Sequence, residues 1–177
     1  MISLDADERL SDELIENIRE VLQRAKSDIE GYFMPRQTRY LGRWIKHSGW
    51  YPDYKLRLYN KHKGYWRGED PHDYVYVNGN TAHLKGRIIH YSYQDIKDHL
   101  DKINTYTTIM ATNIYQKGER FSIFSLIFRP VCKFLNIYFL KLGFLDGFQG
   151  LLIAVISSTY ILLQQAKLWE LLQQDKR

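Results

Sequence analysis

The sequence predicts an α/β fold, built as one domain with an appendage, and three observations support it. A short apolar run, Met1-Ile2-Ser3-Leu4, stops at Asp5 and leads into residues with helical spacing. Tyr54 to Tyr59 alternates Leu56 and Leu58 with Lys55 and Arg57, the period-two pattern of a half-buried strand. From Gln94 onward, Ile96, Leu100, Ile103, Met110 and Ile114 return to helical spacing. A chain of 177 residues, 45% of them hydrophobic, suffices for one ordinary core and is short for two.

Taken in order, Met1–Leu4 reads as the tail of a buried strand. Ser11 is a good N-cap, with Asp12 and Glu13 in the first turn. The stripe Leu14, Ile18, Val21, Leu22, Ala25 and Ile29 then predicts a helix over 11–29 that stops at Gly31. After the strand at 54–59, a turn is expected at Asn60–Gly64. Tyr74–Val77 and His83–His90 flank the turn signal Asn78-Gly79-Asn80, which predicts a hairpin. A helix from Gln94 should end near Gly118. The stretch Phe121–Leu172 is rich in Phe, Leu and Ile; broken by Pro130 and by Gly143–Gly150, it predicts two or three apolar helices.

Charge divides the chain unevenly. Residues 1–31 hold four basic and nine acidic side chains, 32–114 hold thirteen and seven, and 115–177 hold eight and four. The basic excess favours an anionic partner such as a phosphorylated sugar, nucleic acid or an acidic leaflet, without choosing among them. The single cysteine, Cys132, excludes an internal disulfide framework and a cysteine-rich zinc site. The opening shows no basic-then-apolar signal pattern, so the expected compartment is the cytoplasm.

Asp5-Ala6-Asp7 places two carboxylates at the end of a strand, where α/β folds hold ligands. Such oxygens suit Mg²⁺ or Mn²⁺ shared with a diphosphate; a solvated turn ahead of a helix cap is the plainer reading. Glu69-Asp70-Pro71-His72-Asp73 gathers three carboxylates and an imidazole, any carboxylate of which could take a proton from a hydroxyl; an acidic surface turn is the alternative. His90 ends its predicted strand within reach of a metal, though a strand histidine is more often structural. Residues 36–67 interleave nine basic side chains with aromatics that include Trp50 and Tyr59. That segment suits stacking on sugars with arginine on phosphate, single-stranded RNA, or simply a solvated strand face. No nucleic-acid-binding motif supports the RNA version. The nineteen uncharged residues Phe148–Ala166 contain several Gln, Ser and Thr side chains. With Arg129, Lys133, Lys141 and Lys167 nearby, they fit a helix lying on an anionic leaflet better than a spanning one. Packing on the chain's own domain or on a second copy are the other readings.

Taken together and in this order, the motifs resemble family 2 glycosyltransferases of the lipopolysaccharide-core type. The likeness runs through Leu4-Asp5-Ala6-Asp7-Glu8-Arg9, Gly49-Trp50-Tyr51-Pro52-Asp53 with Leu56-Arg57-Leu58-Tyr59, and His72-Asp73. It continues in Leu84-Lys85-Gly86 with Ile89-His90-Tyr91-Ser92, then in Gly143-Phe144-Leu145-Asp146-Gly147 with Gly150. The resemblance implies a GT-A fold over residues 1–118 and an amphipathic helical tail over 119–177. It also implies inverting transfer from a nucleotide-sugar donor to a glycolipid or lipopolysaccharide-core acceptor. Its implied site is a metal, Mn²⁺ or Mg²⁺, on Asp5, Asp7 and His90, a base at Asp73 with Glu69 or Asp70 in reserve, and substrate contacts from Arg57, Trp50 and His72. The implied location is peripheral, on the anionic inner membrane face, with no nucleic acid partner. The family has glutamate where Asp73 stands, and a complete member has a further βαβ half upstream. The expectation is therefore an N-terminally truncated transferase, whose activity on its own the sequence leaves open and whose protein partner is a second copy or the missing half. The reading from another class is a non-catalytic basic module bound to membrane or RNA.

Overall fold

The computed structural model describes residues 1–23, 28–68 and 74–175. The chain forms two compact units: Met1–Lys46 with Trp50–Ser92, and His47–Gly49 with Tyr93–Arg177.

The first unit is organised by β2 (Ile29–Tyr40), to which most of the other strands are hydrogen-bonded. One edge of β2 runs parallel to β7 (Asn80–His83) and then to β8 (Ile88–His90). The other edge runs antiparallel to β4 (Asp53–Tyr59) and then to β3 (Arg43–Trp44). Pro35, which has no N–H to donate, falls between the stretch that pairs with β7 and the stretch that pairs with β8. β1 (Glu8–Leu10) closes the far edge, antiparallel to β8 with Glu8 opposite His90. β5 (Gly64–Arg67) and β6 (Tyr74–Val77) form a separate antiparallel pair.

Helix α1 (Asp12–Gln23) begins as the sequence predicts, with Ser11 Oγ accepting the Leu14 N–H at 3.3 Å. Its Leu14, Ile18 and Val21 pack against Met34, Leu58, Leu84 and Ile88. The approach is close: a Cβ on Gly86, which has φ +83°, would lie 2.4 Å from the Leu14 nitrogen. A second cluster joins Leu56 and Tyr59 of β4 to Val75 and Val77 of β6.

Several expectations change. Ile29 belongs to β2 rather than to the preceding helix. Met1–Leu4 is not a buried strand: Met1, Ile2 and Leu4 are exposed, and the segment pairs antiparallel with β4 through the Ser3 N–H to Arg57 carbonyl bond of 2.9 Å. Tyr74–Val77 and Asn80–His83 are not a hairpin, because β6 pairs with β5 while β7 pairs with β2. The three-residue strand β1, between the Asp5–Asp7 turn and α1, was not expected. The strand at Tyr54–Tyr59 and the turn after Asn60 form as predicted.

The second unit is helical. α2 (Ile96–Gln116) is capped by Asp95, whose carboxylate accepts the Asp98 N–H at 2.7 Å. α3 (Ile123–Leu135) contains Pro130 without breaking there, and passes into a π-helical turn at Asn136–Leu140. A 3₁₀ turn, Gly143–Asp146, precedes α4 (Gly147–Gln174). The Lys167 ammonium ties α4 to α2 through the Thr107 and Thr108 hydroxyls and the Asn104 side chain, at 2.7–2.9 Å. α2 thus groups with the helices that follow it. The unit's turn motif is a packing device: buried Asp146 accepts the His47 N–H at 2.9 Å and the Ser48 hydroxyl at 3.0 Å. A Cβ on Gly150 would lie 1.8 Å from the Gly143 carbonyl oxygen. The described residues include two helices long and apolar enough to cross a membrane, Ile123–Leu140 and Gly143–Gln174.

Candidate functional site

The chemistry of the first unit gathers where the Asp5–Glu8 turn meets β2, β4 and β8. The turn is closed by the Glu8 N–H donating to the Asp5 carbonyl at 3.0 Å. Glu8 is the hub: its Oε1 accepts Arg36 Nη1 and Arg57 Nη2, both at 3.1 Å, and its Oε2 accepts the Asp5 N–H at 3.1 Å. Burial alone would raise its pKa. The Asp5 N–H and the Arg57 and Arg36 charges outweigh that and hold the carboxyl below its usual range.

Arg57 reaches this hub because of a β-bulge. Leu58 stands opposite Tyr32 and Leu56 opposite Phe33, so Arg57 is the extra residue of β4. The bulge turns Leu56 and Leu58 into different clusters and directs Arg57 inward, where its Nη2 also donates to Asp5 Oδ2. Arg57 Nε is buried without a hydrogen-bond partner. Arg36 donates to Asp53 Oδ2 through Nε at 2.9 Å and Nη2 at 2.7 Å.

On the same turn, Asp7 Oδ2 lies 3.3 Å from His90 Nε2, and His90 Nδ1 shares a 3.1 Å hydrogen bond with the Thr38 hydroxyl. Burial, reinforced by the Arg36 charge, pushes the His90 pKa down despite Asp7 and Glu8, so the ring is neutral at pH 7. Because a carboxylate only accepts, the neutral ring donates Nε2–H toward Asp7 and accepts the Thr38 hydroxyl at Nδ1.

A cleft of about 620 Å³ opens beside Asp5, Arg36 and Arg57. Lys55 and Tyr54 line it from β4, and Trp66, Tyr74 and Tyr76 from the β5–β6 pair. Arg67 lies over the Tyr65 and Tyr76 rings, 4.9 and 4.6 Å from their centroids. Cations on one wall and aromatic faces on the other suit a phosphorylated sugar.

The structure brings Asp5, Asp7, His90 and Arg57 to one turn, but not as one metal cluster. Asp5 is paired with Arg57, and no group of three or more His, Cys, Asp or Glu side chains among the described residues is arranged to hold a metal. Asp7 and His90 are one carboxylate and one neutral imidazole. They could supply two ligands to a divalent cation, and phosphate and water would have to supply the rest. Trp50 does not line the cleft and stands edge-on to buried Tyr40, ring centroids 5.4 Å apart. Glu69, Asp70, His72 and Asp73 lie outside the described residues. The sequence placed Glu8 in the Leu4–Arg9 motif and Arg36 and Trp66 in the basic and aromatic segment 36–67 without giving any of them a role of its own, and it missed Thr38, for which no local pattern exists.

Curated proteins that match this chain along almost its whole length are named glycosyltransferases, the class its motifs resemble. It is 28% identical over 170 residues, or 95% of its length, to the lipopolysaccharide core biosynthesis glycosyltransferase LpsC of Rhizobium meliloti. It is 30% identical over 97% of its length to an uncharacterized glycosyltransferase of Rickettsia typhi, and 29% identical to one of Rickettsia prowazekii. The chain spans 62–63% of the length of these relatives. No protein-family model matches it, and no solved structure does.

Proposed function

We propose that the chain forms the metal- and acceptor-side part of an inverting, metal-dependent family 2 glycosyltransferase. Its donor is a nucleotide sugar, and its acceptor a glycolipid of the lipopolysaccharide-core kind. The observation that supports this best is the meeting of Asp7 with neutral His90, on the turn that also holds Arg57 beside a cationic and aromatic cleft. On this reading residues 1–118 supply part of a GT-A fold. The tail 119–177 holds the protein peripherally on the cytoplasmic face of the membrane that carries its acceptor.

Asp7 and His90 would hold Mn²⁺ or Mg²⁺, and Asp5 would join them only by giving up its pairing with Arg57. Such an ion neutralises charge on a diphosphate leaving group. Arg57, which lines the cleft, would set its guanidinium charge beside a donor phosphate. Trp66 and Tyr74 present faces for a pyranose ring. By resemblance, Asp73, with Glu69 or Asp70 in reserve and His72 beside it, takes the proton of the acceptor hydroxyl. The freed oxygen bonds to the anomeric carbon as its bond to the diphosphate breaks. That carbon inverts, and nucleoside diphosphate leaves.

The test is isothermal titration of the 177-residue chain with UDP-glucose, with and without Mn²⁺. Binding that requires the metal is the expected result. A folded chain that binds neither donor nor metal would favour the non-catalytic binding module.

A further inference from the structure

The outer side of α3 is apolar and exposed. Ile123, Phe124, Ile127, Phe128, Val131 and Leu135 recur at helical spacing and form one stripe, with the Phe124 and Phe128 rings stacked 4.1 Å apart. One flank of the helix is used internally: Pro130 is buried, and its carbonyl accepts the Ser158 hydroxyl of α4 at 2.7 Å. Water is a poor solvent for so continuous an apolar face.

Charge indicates what covers it. From Arg120 to Leu145 the chain carries four basic side chains, Arg120, Arg129, Lys133 and Lys141, and no acidic one. Neither a neutral bilayer nor an ordinary apolar protein surface accounts for that bias, whereas an anionic leaflet attracts it. Length alone would allow α3 and its π-helical turn, Ile123–Leu140, to cross a bilayer. Crossing would place Arg129 and Lys133 near the middle of the hydrocarbon, where charged side chains are least tolerated. At 100° per residue those two cations project roughly opposite the apolar stripe. A helix lying in the interface satisfies both groups at once, with the stripe in the acyl boundary and the cations in water and headgroups.

We infer that α3 is a monotopic membrane anchor, lying in the plane of an anionic leaflet on its Phe124, Ile127, Phe128 and Val131 face. The inference rests on the membrane-side location proposed above and adds the element, the face and the lipid class. It moves the anchoring role from Phe148–Ala166, where the sequence placed it, to α3.

Vesicle co-sedimentation of the full chain tests it without any transfer assay, so its failure is distinct from failure of the transferase reading. The chain should sediment with phosphatidylcholine vesicles containing about one third phosphatidylglycerol, and about tenfold less with phosphatidylcholine alone. Combined Phe124→Ser, Phe128→Ser and Val131→Ser should abolish binding while leaving the helical circular dichroism unchanged. Arg129→Glu with Lys133→Glu should lower binding to the anionic vesicles and leave the apolar stripe intact. Cys132 is the only cysteine and is exposed on α3, so an environment-sensitive dye there should shift to the blue on binding. Alkaline carbonate should release the bound chain. Retention after carbonate would overturn the monotopic arrangement in favour of a span. Equal binding by the triple variant, or dimerisation in solution that the triple variant abolishes without any vesicle binding, would overturn the anchor.

Discussion

Glu8 Oε1 accepts a hydrogen bond from Arg57 Nη2 at 3.1 Å across forty-nine residues of chain, and both side chains are buried. This pair ties the Asp5–Asp7 turn to the bulge in β4 and so fixes where the carboxylates of the candidate site stand. Removing one member of a buried ion pair strands the other. Arg57→Met should therefore cost about 3 kcal/mol, the low end of the range for such pairs, because Arg36 still meets Glu8. Urea unfolding of the variant measures it.

His99 gives the second unit a pH dependence. It is buried on α2, its ring 3.9 Å from that of Tyr93, and burial lowers its pKa from 6.5 to about 4. The unfolded chain takes up the proton first as the pH falls. The contribution is therefore complete above pH 6.5, declines between 6.5 and about 4, and is then lost. Its size is on the order of 3 kcal/mol. His99→Phe should flatten that part of the stability profile, followed by thermal unfolding across the same range.

Asp146 is buried and accepts bonds from the His47 N–H and the Ser48 hydroxyl. Asp146→Ala leaves both donors without their partner and should lower stability by about 2–3 kcal/mol. Calorimetry would register this as a drop in the melting temperature.

Gly150 faces the Gly143 carbonyl so closely that an added Cβ would lie 1.8 Å from it. The obstacle is backbone, which cannot rotate aside. Gly150→Ala should cost about 3 kcal/mol or more and disturb the start of α4. An unchanged melting temperature would refute the packing role assigned to this turn.

The parts of this fold that were legible in the sequence are those set by local pattern. Ser11 capped its helix, and the apolar spacing after Gln94 located α2, because both depend on residues within a few positions. Tyr74–Val77 and Asn80–His83 misled because their partners, β5 and β2, are chosen by tertiary pairing that the turn signal between them does not report. The alternation at Leu56-Arg57-Leu58 set Arg57 on the face opposite the two leucines, and it does not report the bulge that buries all three. Asp5, Asp7 and His90 were singled out from the sequence and meet at one turn, whereas the ion-pair hub at Glu8 depends on Arg36 and Arg57, both distant in sequence.

The central claim is that Asp7 and His90 hold a divalent cation shared with the donor diphosphate. Electron paramagnetic resonance of Mn²⁺ titrated into the chain with UDP-glucose tests it most directly, since bound Mn²⁺ loses its sharp free-ion signal. The account predicts loss of that signal with the native chain, and its return on Asp7→Ala or His90→Ala. A folded native chain that leaves the free-ion signal intact, or variants that quench it equally, would contradict the account.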